Sequence, residues 1–241
     1  MLLYQAMSHD ERLHEALADF REIYEDKLGK LFERNRRLFA VSKKFPVKVI
    51  CPLKSARGNQ WKVTLLARSK QEAKHPGYMP LLKYQTSHGV GFLYPKLLDE
   101  WTMDVIVYDF TPHLVSRYKE RFLRVQEDGE QLLENFMVDM MMRNMPLHVA
   151  YDEKRKCYVC FVEDGIFLSD QCDPHRYVMW KTFVTEEMLF DDQAEAFEMF
   201  SSFRERYLAQ AARTGQYAKG CVHLGEDGLP LMFGKHERSW E

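Results

Sequence analysis

Residues 103–122 read MDVIVYDFTPHLVSRYKERF, and the change of period within this stretch decides the fold class. Met103 to Tyr108 is rich in Val and Ile, the β-branched residues that suit a strand. Thr111-Pro112 follows. The threonine can cap a helix, and the proline suits the first helical position, where its missing N–H has no intrahelical partner to lose. Beyond it Leu114, Val115, Tyr118, Phe122 and Val125 keep helical spacing, which predicts a helix over 112–125.

Upstream, Ser8 and Glu11 form a capping box. Leu13, Leu17, Phe20, Tyr24, Leu28 and Leu31 then predict one long helix over 9–40, with Pro46 beyond its end. Alternation at Val47, Val49, Cys51 and at Trp61, Val63, Leu65 predicts two strands joined by the turn 55–59. Residues 69–80 read as a loop, and short strands follow near 81–86 and 90–94. Downstream, a helix over 130–144 places Leu133, Phe136, Met137, Met140 and Met141 along one side. Strands are expected near 147–151, 157–163 and 165–169, with Asp164-Gly165 as a turn, and over 175–184. A last helix, capped by Asp191 or Asp192 and running to about residue 212, has Phe197, Phe200, Phe203 and Tyr207 on its buried side. The tail from Gly215 is expected to fray or lie along the surface.

Strands and helices come in blocks, which predicts α+β: a long N-terminal helix and a largely antiparallel sheet with helices packed on one face. A boundary near residue 100 would divide a unit 1–100 from a unit 101–214, with 215–241 as a tail. No flexible linker marks it, so one continuous domain fits as well.

The chain has 241 residues, 46% hydrophobic and 29% charged, the balance of a globular protein. It has no apolar run of roughly 18–20 residues for a membrane span. The opening MLLYQAMSHDERLHE turns acidic too early for a secretory signal. Five cysteines, an odd and sparse set, fit a reducing compartment. The expectation is a cytoplasmic protein with no membrane partner.

A net charge of −2 conceals segregation. Residues 43–98 hold eleven basic side chains against Glu72 alone, whereas 125–170 carry ten acids against four bases. Such a basic segment can form a polyanion-binding face, for which RNA is the expected partner. Lys48, Lys54, Arg57, Lys62 and Arg68 are the candidate phosphate contacts, and Trp61, Tyr78, Tyr84 and Phe92 the candidate stacking surfaces. The alternative is that these lysines are solvated or meet the acidic segments in the fold.

At about 100° per residue, His113, Arg117, Arg121 and Arg124 fall within about 80° of one another, opposite Leu114, Tyr118 and Phe122. An imidazole beside guanidinium forks can bind a phosphodiester and exchange protons with it. His113-x3-Arg117-x3-Arg121, opening a helix as TPHLVSRYKER, resembles the histidine–arginine helix of RelE/BrnT-type ribonuclease-toxin proteins. Met179 to Thr185 is similar to their late hydrophobic-threonine strand. The resemblance covers roughly residues 108–190. It implies a helix packed on an antiparallel sheet and metal-independent RNA cleavage, with His113, Arg117 and Arg121 as catalytic residues; Arg124, on the same polar stripe, is a candidate further RNA contact. The competing reading is a surface helix whose arginines pair with nearby acids, Glu120 among them.

Other motifs carry less. Cys157-x2-Cys160 with Cys172 and His175 has metal-capable residues, but CYVCFV reads as continuous strand and sends the two thiols to opposite faces. The methionines at 137–145 read as core filling or as a pliable groove. Gly89-Val90-Gly91 lacks the third glycine of a dinucleotide loop. No metal and no cofactor is expected. A non-enzymatic alternative remains, a protein-interaction or structural module that docks or self-associates through helix 9–40.

Overall fold

The computed structural model of the chain describes residues 7–99, 102–123, 137–140, 147–152, 156–170, 177–214 and 221–223. The long N-terminal helix is present and continuous. It is built of α1 (His9–Glu22), a π-helical turn Ile23–Lys27 and α2 (Leu28–Val41). Its capping box forms as expected: Ser8 Oγ accepts from the Glu11 N–H at 3.2 Å, and Glu11 accepts from the Ser8 N–H at 2.7 Å.

The described strands are β1 Val47–Lys54, β2 Gln60–Ala67, β3 Gly77–Thr86, β4 Gly89–Asp99 and β5 Asp104–Phe110, then β6 Leu147–Asp152, β7 Cys157–Val162, β8 Gly165–Ser169, β9 Tyr177–Val184 and β10 Cys221–His223. They make one ten-stranded sheet in the order β1-β2-β3-β4-β5-β9-β8-β7-β6-β10. All pairings are antiparallel except β5 with β9 and β6 with β10. The sheet passes residue 100 without a break, since β4 and β5 pair with each other. Part of the tail adds an edge strand, β10.

The α+β class with a largely antiparallel sheet holds, but helices cover both faces of the sheet, because strand alternation leaves both faces apolar. On one face Phe20, Ile23 and Leu31 of the long helix meet Trp61, Val63, Leu65 and Val107. On the other, α3 (Pro112–Tyr118) buries Leu114, Val115 and Tyr118 with residues 137–140 against Phe92, Tyr108 and Trp180. The last helix, α4 (Asp191–Thr214), lays Phe197 and Phe200 on Val159, Phe161 and Ile166.

Two local expectations change. The helix expected over 112–125 is α-helical only to Tyr118 and turns π-helical over Lys119–Leu123. Strand β3 starts at Gly77, inside the expected loop 69–80, because Pro80 can sit in a strand where no ladder N–H is required of it. Of the expected helix 130–144 only 137–140 is described, and it is helical with Met137 and Met140 buried. The remainder of that helix, Cys172, His175 and Arg124 lie outside the described residues. Cys160 packs in the core under α3 and Cys157 on the opposite side, under α4. Among the described residues no helix is long and apolar enough to cross a membrane.

His148 sits inside this packing at 1% exposure, between the rings of Phe200 and Phe203, with no hydrogen-bond partner for Nδ1. Burial, helped by the Arg204 charge, pulls its pKa down to about 4. A histidine held neutral in the fold but free to protonate when unfolded stabilises fully above about pH 6.5 and loses that contribution as pH falls toward 4. The gap corresponds to roughly 3–3.5 kcal/mol as an upper bound. His148→Phe is therefore expected to flatten the loss of stability between pH 6.5 and 4, read from urea unfolding at several pH values. An unchanged acid slope would show that His148 is not the group responsible.

Candidate nucleic-acid interface

Alternation along β1–β3 decides which cations share a surface. Lys48 and Lys54 of β1, Lys62 of β2 and Lys83 of β3 all fall on the sheet face opposite the long helix. Lys54, Lys62 and Lys83 rim a hollow of about 350 Å³ whose floor includes Leu81, Phe92 and Val138. Among the described residues that line it none is acidic. Lys48 lies farther along β1 and forms an ion pair with Asp139.

Lys83 was not among the candidate contacts named from sequence. Its signal was present, since Leu81, Lys83 and Gln85 keep the same alternation as Lys62 on the neighbouring strand. Besides Lys48, two named candidates are engaged with acids. Arg57 turns back toward α1, 3.0 Å from Glu15 and 3.9 Å from Asp19. Arg68 lies at the far end of β2, 3.9 Å from Glu72. The stacking surfaces are also corrected: Trp61, Tyr84 and Phe92 are buried core side chains with no ring face open to a base. Tyr78 is half-buried beside Tyr24 of the π turn.

Helix α3 lies on the same face as the lysines, seated on β9 as the strand–Thr-Pro–helix signal led us to expect. Thr111 fixes it there twice: Oγ1 accepts from the Leu114 N–H and donates to the Trp180 carbonyl at 2.9 Å. His113 is exposed in the first turn. The arginines after it do not stand clear as a free stripe. Arg117 is bound 3.0 Å from Glu120, whose carboxyl is held below its usual range by the Ser116 hydroxyl and then by Arg117. Arg121 donates to the carbonyl of Phe183 in β9. The π turn at Lys119 makes this possible, because it rotates Arg121 off the α-helical stripe and toward the sheet. Tyr118 completes the anchor by donating to the buried Asp164.

The long helix is not open for docking along its apolar stripe, because Ala16, Phe20, Ile23, Leu28 and Leu31 are buried against the sheet of the same chain. Among the described residues no group of three or more His, Cys, Asp or Glu could hold a metal ion. No protein-family model, no curated protein and no solved structure matches the chain.

These contacts separate packing from chemistry on α3. Arg121→Ala removes a charge-assisted bond to a backbone carbonyl and is expected to destabilise the fold by about 1.5–3 kcal/mol. Arg117→Ala breaks only an exposed ion pair, so its effect should stay within about 1 kcal/mol. Chemical denaturation of the two variants beside wild type checks this, and equal losses would mean that Arg121 does not clamp α3 to β9.

Proposed function

We propose that the chain binds RNA through the lysine-rimmed hollow on β1–β3. The observation that carries this reading is the convergence of Lys54, Lys62 and Lys83 around a concave surface whose described lining residues include no acid. Phosphate binding to such a surface releases counterions and needs no base-specific contact. With the aromatic rings buried beneath the face, the reading is one of backbone recognition without base stacking.

A second reading adds cleavage. It is favoured by one arrangement: His113 stands exposed on the same sheet face as the lysines, on a helix seated against β9 as the resemblance to the ribonuclease toxins implies. His113 would then move the proton, with Arg117 and Arg121 as the phosphate-stabilising partners. The last two would first have to leave Glu120 and the Phe183 carbonyl.

Filter binding of a labelled single-stranded RNA across a salt series tests the first reading. Replacing Lys54, Lys62 and Lys83 together with Gln should weaken binding at low salt. Each lysine should also reduce the slope of log K against log salt by about 0.7. Arg36→Gln, on the exposed side of α2, should leave the slope unchanged. Equal slopes for the triple variant and wild type would overturn the assignment. For the second reading, cleavage of the same RNA should fall about 10²–10⁴-fold in His113→Ala with affinity kept. Equal rates would remove His113 from the chemistry.

A further inference from the structure

Strands β3 and β4 pair from Thr86↔Gly89 to Leu82↔Leu93 and then separate, although both continue, β3 back to Gly77 and β4 on to Asp99. Two further steps of the same register would set Pro80 opposite Pro95. Neither residue has an N–H to offer, so the ladder bonds expected of that position cannot form from either side. Each strand keeps its outer neighbour: Pro80 pairs with Val63 of β2, and Pro95 with Val107 of β5. The sheet therefore stays continuous at one end of β3–β4 and is split at the other.

The split opens into a cavity of about 730 Å³, within the size range of small-molecule sites. Tyr78 and Met79 both line it, although successive strand residues point to opposite faces. That is possible because the space lies at the open edge of β3. The wall across from the strands is the long helix at its irregular point: Tyr24 and Glu25 of the π turn, then Leu28, Gly29 and Phe32 of α2. Single π turns within α-helices are found frequently at functional sites.

Two observations point to a ligand. Gly29 lies inside a helix, where alanine is the more favourable residue. A Cβ at Gly29 would meet nothing within 4 Å, so close packing does not call for glycine there. Its effect is to leave that wall of the cavity without a side chain. The second observation is Thr64, which lines the cavity, is completely buried, and has no hydrogen-bond partner for Oγ1. A buried hydroxyl with no partner is uncommon in a folded protein.

We infer that this cavity binds an uncharged, largely apolar small molecule whose single hydroxyl, amine or carbonyl group hydrogen-bonds Thr64 Oγ1. The charge class follows from the described lining residues, where Glu25 and Glu72 balance Arg68 and Lys96, and Arg68 and Glu72 lie 3.9 Å apart. The mainly apolar character follows from Leu28, Phe32, Leu66, Met79 and Leu97. An inserted peptide strand is disfavoured by the same two prolines that keep β3 and β4 apart. The inference is independent of RNA binding, which uses a different hollow.

The test is fluorescence titration of the full chain with N-phenyl-1-naphthylamine, an uncharged apolar probe carrying one N–H. Saturable one-to-one binding is expected. Gly29→Leu, which fills open space and favours the helix, should weaken it at least about ten-fold while Tm is kept. Thr64→Val should weaken it about five-fold, the size of one hydrogen bond, with Tm kept or raised. If Gly29→Leu fails to fold by circular dichroism, Leu66→Trp fills the cavity from the sheet side and is read in its place. Absence of saturable binding, or undiminished affinity in the filled variant, overturns the site. Tighter binding of the anionic anilinonaphthalene sulfonate than of the neutral amine overturns the ligand class.

Discussion

A single carboxylate, Asp109, is buried completely at the seam of the sheet, and the arrangement of the long helix and the two halves of the sheet depends on it. The first five strands of the chain and the last five meet only where β5 runs parallel to β9, over Val107–Phe110 and Tyr177–Trp180. Asp109 lies on that seam. It accepts from the Tyr84 hydroxyl of β3 at 2.5 Å and from the Tyr177 hydroxyl of β9. The Arg12 guanidinium of α1 stands 3.9 Å away and 5.3 Å from the centre of the Tyr84 ring. Burial pushes the Asp109 carboxyl above its usual range, and burial together with Asp109 pushes the two phenols above theirs, so both phenols stay protonated and serve as donors. Breaking a buried, paired charge by removing one partner typically costs about 3–5 kcal/mol. One side chain thus ties together α1, β3, β5 and β9.

A second polar anchor holds the same helix two turns later. Asp19, also fully buried, accepts from Asn59 Nδ2 and Trp61 Nε1, both at 2.8 Å, and Glu15 accepts from Asn59 and Arg57. Between them Arg12 and Asp19 fix α1 in rotation as well as position. The apolar residues of α2, Leu31 and Phe39 among them, must nevertheless reach the same sheet face. The π turn at Ile23–Lys27 reconciles the two demands, because one widened turn rotates everything after it relative to everything before it. The irregularity falls over the strands that Pro80 and Pro95 hold apart. Helix and sheet therefore depart from regular geometry at the same place, and the cavity between them is the joint result.

Residues 103–122 made much of this legible. The strand, the Thr111 cap and the apolar side of α3 all follow from local chemistry. So does the capping box at Ser8, whose two bonds involve residues three apart. The π turns were not legible, because nothing in IYEDK or KERFL departs from ordinary helical composition; they arise from anchors elsewhere, at Arg12 and Asp19 for the first and at Phe183 for the second. The role of Asp109 was not legible either, since its partners are 25 and 68 residues away. Strand β3 looked as if it began after Pro80 because proline in a strand is normally a stop. Only the position of Pro95 on the neighbouring strand shows that the missing N–H faces a gap.

The segregation of charge along the chain is resolved by the same alternation that builds the sheet. Arg57, in the turn between β1 and β2, meets the acids of α1, Glu15 and Asp19. A basic residue on the other face meets a surface where, among the described residues, the acid recorded within reach of β1 is Asp139, paired with Lys48. The face a cation occupies therefore decides which acids it can meet: Glu15 and Asp19 on the side of the long helix, Asp139 on the side where Lys54, Lys62 and Lys83 rim the hollow. A chain with a net charge of −2 can in this way present a locally positive concave surface: its acids are numerous enough to balance the total, but the long helix holds a share of them on the far side of the sheet.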